Sequence, residues 1–182
     1  MRASIQAALR AGSVPAKALS VKIVLIDFHT HTNASDGALA PGELVDRALA
    51  RNIDLLAVTD HDTVAGYHAA VEHYHGKQGS LRLVSGVELS CRWSGATVHV
   101  VGLGVDTEAP AFKAGLARLD QARLHRGRKI DHRLAQKGFE GAFEGALRHA
   151  GSSQLGRPHF AAWLVEAGHV EDQGRAFDRY LG

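Results

Sequence analysis

Residues 21–29, VKIVLIDFH, form an unbroken apolar run rich in branched side chains and ending on a histidine. The run is too short for a buried helix and suits a strand covered on both faces. The period then changes. In APGELVDRALARNID, Leu44, Val45, Ala48 and Leu49 share one helical stripe, Pro41 suits a first turn, and Glu43 favours its positive end. DLLAVTDHD (54–62) reads as a second buried strand, so 23–54 has the length of a βαβ unit. VAGYHAAVEHYH followed by LRLVSGVEL repeats that unit, which predicts an α/β fold with parallel strands in a sheet or barrel.

The repetition stops after the third strand. About a dozen residues separate LVSGVELS from TVHVVGLGV, too few for a crossover helix, so a hairpin is predicted. Ser94 and Gly95 supply a two-residue turn, and closing there pairs Trp93 with Ala96, Ser90 with His99, and Glu88 with Val101. Because alternate strand residues share a face, Glu88, Ser90 and His99 then lie on one side of the sheet.

Helical periodicity takes over downstream. Over 110–137, Phe112, Leu116, Leu119, Ile130 and Leu134 form a stripe opposite Arg118, His125, Lys129, His132 and Arg133. The basic side reads as a solvated face, with a phosphate-rich polymer lying along it as the alternative. GFEGAFEGALRHAG and RPHFAAWLVEAG read as two shorter helices, the second with Pro158 at its start and Gly168 as its stop; EDQGRAFDRYL reads as a last one.

Composition adjusts this picture. At 182 residues and 45% hydrophobic, the chain can build a real core. Lysine and arginine exceed aspartate and glutamate by only 21 to 19, so total charge gives no strong direction toward nucleic acid or membrane. Twelve histidines raise the expectation of metal, while the single cysteine, Cys91, fits a reducing, cytoplasmic setting. No stretch approaches the roughly 18 apolar residues of a membrane span, so a soluble protein without a membrane partner is expected. Residues 1–20 carry Arg2, Arg10 and Lys17 without an acid and read as a flexible extension.

The polar strand ends carry the chemistry. In HTHTNASDG, His29 and His31 project to one strand face while Asp36 returns from the following loop. The second strand ends in Thr59, Asp60, His61 and Asp62, the third carries Glu88, and its hairpin partner carries His99. Imidazole and carboxylate donors gathered at strand C-termini suit a divalent metal of the manganese, iron or zinc type, which would activate water for phosphate-ester hydrolysis. Asp60 and Asp62 are expected either to orient His61 or to cap the next helix, capping being favoured for Asp62. In GRPHF, Arg157 beside a Pro-started helix offers a guanidinium fork near free backbone N–H groups, an anion site. The remaining histidines, among them His149 and His169, read as solvent-facing.

DFHTHTNASDG, VTDHDT, GVELS and VHVVGLG, in this order and spacing, resemble the PHP (polymerase and histidinol phosphatase) family of metal-dependent phosphoesterases. The stretch from GAFEGALRHAG to AFDRYLG is similar to the branch of nucleoside 3',5'-bisphosphate phosphatases and RNA 5'-to-3' exonucleases. The resemblance implies a distorted, seven-stranded (β/α) barrel with a helical insertion after the fourth strand. It also implies up to three divalent ions in complete relatives, manganese foremost. It makes His29, His31, Asp36, His61, Glu88 and His99 metal ligands, Asp36 and His61 catalytic, and Arg157 and His159 substrate-binding. The expected substrate is a phosphorylated nucleotide or short oligonucleotide.

Complete relatives add further strands that bring another histidine and an Asp-x-His pair, and none follows the fourth strand here. The expectation is therefore an incomplete barrel holding fewer ions, whose open edge favours self-association. Residues 21–109 form its ligand-bearing part and 110–182 the insertion. A catalytically impaired fold that binds metal or phosphate, and a histidinol-phosphatase-like phosphomonoesterase, remain as alternatives.

Overall fold

The computed structural model describes residues 23–77 and 79–182; the expected extension 1–20 lies outside the described residues. Strands β1 (Ile26–Thr30), β2 (Leu55–Val58), β3 (Arg82–Trp93) and β4 (Ala96–Leu103) follow one another in space as in sequence. The first three are parallel and the last is antiparallel to β3. Helices α1 (Pro41–Ala50) and α2 (Ala65–Tyr74) are the crossovers. Val45 and Ala48 of α1 and Ala70 of α2 pack against Leu56, Val58 and Leu81, which roofs one face of the sheet. The result is a curled, open half of a (β/α) barrel.

The hairpin has the register its turn dictates: Trp93 faces Ala96, Ser90 faces His99, and Glu88 faces Val101. Ser94 and Gly95 have φ of 46° and 87°, the positive values a type I′ turn needs at both central positions. The first strand differs from expectation. It begins at Ile26, pairs only with β2, and is exposed along most of its length, with Ile26 at 51% and Phe28 at 36%. An apolar run specifies a strand made to be covered, and no described residue covers this edge.

The helical segment builds a second core. Helices α3 (Pro110–Ala135), α4 (Ala142–Ala150), α5 (Arg157–Glu166) and α6 (Gln173–Ala176), with a closing π-turn at Phe177–Leu181, bury Phe143, Phe160, Trp163, Leu164 and Leu181 together. Of the stripe expected on α3 only Ile130 and Leu134 are fully buried, joined by Gly127, because the first half of the helix extends beyond the cluster. His169 stacks on Phe139 at 4.4 Å between ring centroids instead of facing solvent. Among the described residues no helix is long and apolar enough to cross a membrane.

Candidate metal centre and arginine-lined cleft

The strand ends are aligned by side-chain hydrogen bonds before any ligand is considered. Thr59, fully buried, uses one hydroxyl to accept from the Thr30 N–H at 3.1 Å and to donate to the Thr30 carbonyl at 3.0 Å. The β1–β2 register slips between Asp27 and Thr30, a bulge at the position where His29 must be aimed. One parallel bridge between His61 and Glu88 carries the β2–β3 pairing past Val58.

Asp60 clamps the loop that bears Asp36. Its buried carboxylate accepts from the Thr32 N–H at 2.7 Å, the Thr32 hydroxyl at 2.7 Å and the Ser35 hydroxyl at 2.6 Å. A Cβ on Gly66 would sit 2.0 Å from Asp60 Oδ2, and one on Gly37 would sit 2.2 Å from the His31 carbonyl oxygen. The motif therefore needs glycine at both places for close approach rather than for flexibility. Asp60 thus anchors a loop and neither caps a helix nor orients His61.

Asp62 also departs from the expected cap. Its carboxylate accepts from the Ser90 N–H at 2.6 Å and from Arg123 Nε at 2.8 Å and Nη2, while Thr63 Oγ1 accepts from the Ala65 N–H at the start of α2. Burial raises the Asp62 pKa, but the Ser90 bonds and the Arg123 charge outweigh it and hold the carboxyl below the usual aspartate range. This ion pair joins the helical segment to the strand ends.

All six expected ligands converge on one side of the sheet. Glu88 is the hub: its carboxylate oxygens lie 2.8 Å from His29 Nε2, 3.0 Å from His31 Nε2, 3.9 Å from His61 Nδ1 and 3.4 Å from His99 Nδ1. Asp36 reaches His31 Nδ1 at 3.2 Å and His61 Nε2 at 3.6 Å. Successive imidazoles stand 5.2, 4.7 and 4.8 Å apart between centroids from His29 through His31 and His61 to His99.

Two donors bound to one ion at ~2.1 Å each are separated by no more than ~4.2 Å, and every one of these donor pairs satisfies that limit. Three overlapping groups can hold an ion: His29, His31 and Glu88; His31, Asp36 and His61; and His61, Glu88 and His99. His31 Nδ1 and His61 Nδ1 are buried and, though they face carboxylate oxygens at 3.2 and 3.9 Å, make no hydrogen bond among the described residues. An unpaired buried nitrogen is costly, and a cation is what would satisfy it.

Electrostatics agree with this fit. Burial raises the Glu88 pKa, yet the His29 bond and the charges of His61, His31 and His29 leave it below the usual glutamate range. Burial, followed by His31 and His99, lowers His61 against the pull of Asp36 and Glu88. A charged glutamate and a neutral imidazole are the protonation states that ligation requires.

The pocket opens into a cleft of about 1150 Å³ between the sheet and the helical segment. Asp36, His61 and His99 line it on one side, with α3 and the start of α5 on the other. Arg157, at the first position of α5, faces this cleft, donates from Nη1 to the Leu181 carbonyl at 3.1 Å and lies over the Phe177 ring. His159 Nδ1 accepts from the Gly156 N–H at 3.0 Å, so one backbone donor expected to be free is taken. That bond fixes the neutral tautomer with its proton on Nε2, pointing a donor toward Ser153 Oγ at 3.4 Å. Burial, with His149 and Arg123, keeps the His159 pKa below the usual histidine value.

Sequence reasoning missed part of this wall. Arg123 and Arg126 were not singled out, and Arg133 was placed on a solvated face; all three line the cleft, as does His149, which pairs with Glu166 at 2.9 Å. The spacing 123, 126, 130, 133 is one helical face, but only the docking of α3 decides which face meets the strands.

Comparison with known proteins agrees with this geometry. The PHP domain model matches residues 27–175. The chain is 43% identical over 158 residues to the 5'-3' exoribonuclease Rnm of Salmonella typhimurium, covering 87% of this chain and 54% of that protein. It is 42% identical over 157 residues to the 3',5'-nucleoside bisphosphate phosphatase of Chromobacterium violaceum, covering 86% and 54%. A solved Bifidobacterium adolescentis structure, assigned as a metal-dependent phosphoesterase, superposes with a TM-score of 0.75 and 30% identity over 88% of this chain and 56% of its own. The chain thus spans about half the length of the curated relatives it matches. With strand order, donor set and sequence in agreement, the chain belongs to the PHP domain family.

Proposed function

We propose that this chain carries the metal-binding wall of a phosphoesterase that hydrolyses nucleotide phosphate esters, either 3',5'-bisphosphate nucleotides or the 5' ends of short RNA. One observation carries the reading: the six-donor pocket and the arginines of α3 and α5 face the same cleft. His29, His31, Asp36, His61, Glu88 and His99 would hold the ions, with manganese favoured and iron or zinc compatible with the donor set. Bound there, a divalent ion supplies Lewis acidity toward water and phosphoryl oxygen.

The chain's own residues do the rest. Arg157 grips a phosphate with the part of its guanidinium not given to Leu181, and His159 donates from Nε2. Asp36 and His61 are the catalytic candidates. Neutral His61 faces Asp36 across 3.6 Å, and the carboxylate fixes the imidazole where phosphate enters. A second reading, metal or phosphate binding with little turnover, is supported by the openness of the His29 side: its side chain is 57% exposed beside a β1 edge that no described residue covers. An ion there would exchange readily.

The test is hydrolysis of a 3',5'-bisphosphate nucleotide and a 5'-phosphorylated oligoribonucleotide with manganese present. Arg157→Ala is expected to cost about 2 to 3 kcal/mol of transition-state stabilisation without loss of metal. Lysine should rescue only in part, since it restores charge but not the planar fork. Unchanged rates on both substrates would contradict the assignment of Arg157.

A further inference from the structure

Most of the six donors owe their places to the sheet. His29 stands on β1, Glu88 on β3 and His99 on β4, His61 bridges to Glu88, and His31 directly follows β1. Asp36 is different. It lies out in the loop between β1 and α1, and its side chain is 49% exposed. Yet it faces both His31 and His61, so something other than strand pairing must hold it there.

The hold runs through Thr32 and Ser35, which bracket the turn leading into Asp36. Both side chains are buried, and both hydroxyls donate to the buried carboxylate of Asp60. Thr32 in turn closes the loop on itself: its carbonyl accepts from the Ser35 N–H at 3.1 Å and the Gly37 N–H at 2.9 Å, and its hydroxyl accepts from the Ala34 N–H at 3.1 Å. On its other side the loop is tied to the helical segment by the Gln154 N–H, which donates to the Ala34 carbonyl at 3.1 Å. Ser35 adds a chemical consequence. Its Oγ lies 2.6 Å from Asp60 Oδ1 and 3.5 Å from Asp36 Oδ1, and one hydroxyl proton serves only one carboxylate. The shorter contact takes it, which leaves the Asp36 oxygen bare for a cation.

We propose that Asp60 is a positioning residue for one ion of the centre: it sets the affinity of the group His31, Asp36 and His61, and it does so through Asp36. Of the three overlapping donor groups this one alone contains Asp36. The other two are built from Glu88 and histidines placed by the strands, so they stand apart from the knot around Asp60. The inference rests on the metal-centre reading and divides it into a loop-controlled ion and strand-controlled ones. An Asp60 that served the fold alone would lower stability and weaken every ion alike.

The test is a double-mutant cycle read by manganese binding, followed through the electron paramagnetic resonance of free manganese, with thermal unfolding recorded for each variant. Asp60→Asn keeps the shape and gives up one acceptor. It should weaken one class of manganese sites about tenfold, the low end for a residue supporting a metal ligand, and leave the rest within about twofold. In an Asp36→Ala background that class is already lost, and adding Asp60→Asn should change the remaining affinity by less than about twofold. Gly66→Ala reaches the same carboxylate from α2, since its Cβ would sit 2.0 Å from Asp60 Oδ2, and should reproduce both the weakening and its cancellation. Ser35→Ala removes one of the three bonds to Asp60; it should act in the same direction by about threefold, and it carries the test should the other two variants not fold.

Equal weakening of every site by Asp60→Asn, or a cost of about tenfold that persists after Asp36 is gone, would overturn the positioning role. Unchanged affinity in both Asp60→Asn and Ser35→Ala would overturn it as well. Each of these outcomes leaves the metal centre standing, because wild type binds manganese in all of them. Failure of wild type to bind manganese would remove the centre and the role of Asp60 together.

Discussion

The two walls of the cleft are held by different means. On the sheet wall, backbone pairing sets the strand-borne donors: the β3–β4 register delivers His99 to Glu88, and the His61–Glu88 bridge brings β2 to the same place. On the helical wall no strand pairing reaches the site, and position rests on one backbone bond from the Gln154 N–H to the Ala34 carbonyl at 3.1 Å and on the buried ion pair between Arg123 and Asp62. The sheet wall also leaves buried nitrogens unpaired, whereas Asp60 and Asp62 directly beneath it are saturated with donors. A rigid, satisfied layer thus supports a layer whose donors are left open for cations, the arrangement a preorganised metal site needs.

Breaking the helical wall's attachment should give the largest change. Asp62→Ala leaves Arg123 buried without its partner, and the expected loss is about 3 to 5 kcal/mol of unfolding free energy in urea titrations. Adding Arg123→Met should recover most of it, because the uncompensated charge is then gone. A loss below about 1 kcal/mol would show that α3 is held by its own core instead.

Breaking the sheet wall should act on metal rather than on stability. Glu88→Ala removes the one carboxylate shared by four histidines, and manganese affinity should fall by more than about a hundredfold, beyond the range of supporting residues. Isothermal titration with manganese reads this directly. His125→Ala, on the outer side of α3, should leave affinity unchanged.

The smallest effect lies away from both walls. Asp46 accepts from Lys77 Nζ at 2.6 Å and contacts His73, and the Lys77 bond leads in lowering its pKa below 3.8. With the folded value below the unfolded one, the stabilisation is fully present above about pH 4 and fades as pH falls through the folded value. Being exposed, the cluster is screened, so Asp46→Asn should shift the acid limb of the unfolding curve slightly and less in high salt. An acid limb that steepens in the variant would reverse the sign.

What was legible in the sequence follows the same division. The hairpin and the placement of His99 could be read because a two-residue turn fixes register, and register fixes faces. His29, His31, His61 and Glu88 could be read because polar residues interrupt or close apolar runs at strand ends. The Arg123–Asp62 pair could not, since its members are 61 positions apart and each looks locally like a helix-surface or capping residue. The exposure of β1 was equally hidden, because an apolar run has the same composition whether or not a neighbour covers it.

The strand-end donors form a divalent-cation centre at the head of the cleft, and a bound ion can be located there. Anomalous scattering from manganese-soaked crystals, collected on both sides of the manganese absorption edge, tests it most directly. Peaks are expected among His31, Asp36, His61, Glu88 and His99, at coordination distance from His31 and His61 nitrogens and absent from Glu88→Ala crystals. Peaks confined to surface carboxylates, with the Glu88 carboxylate still hydrogen-bonded to histidine, would contradict it.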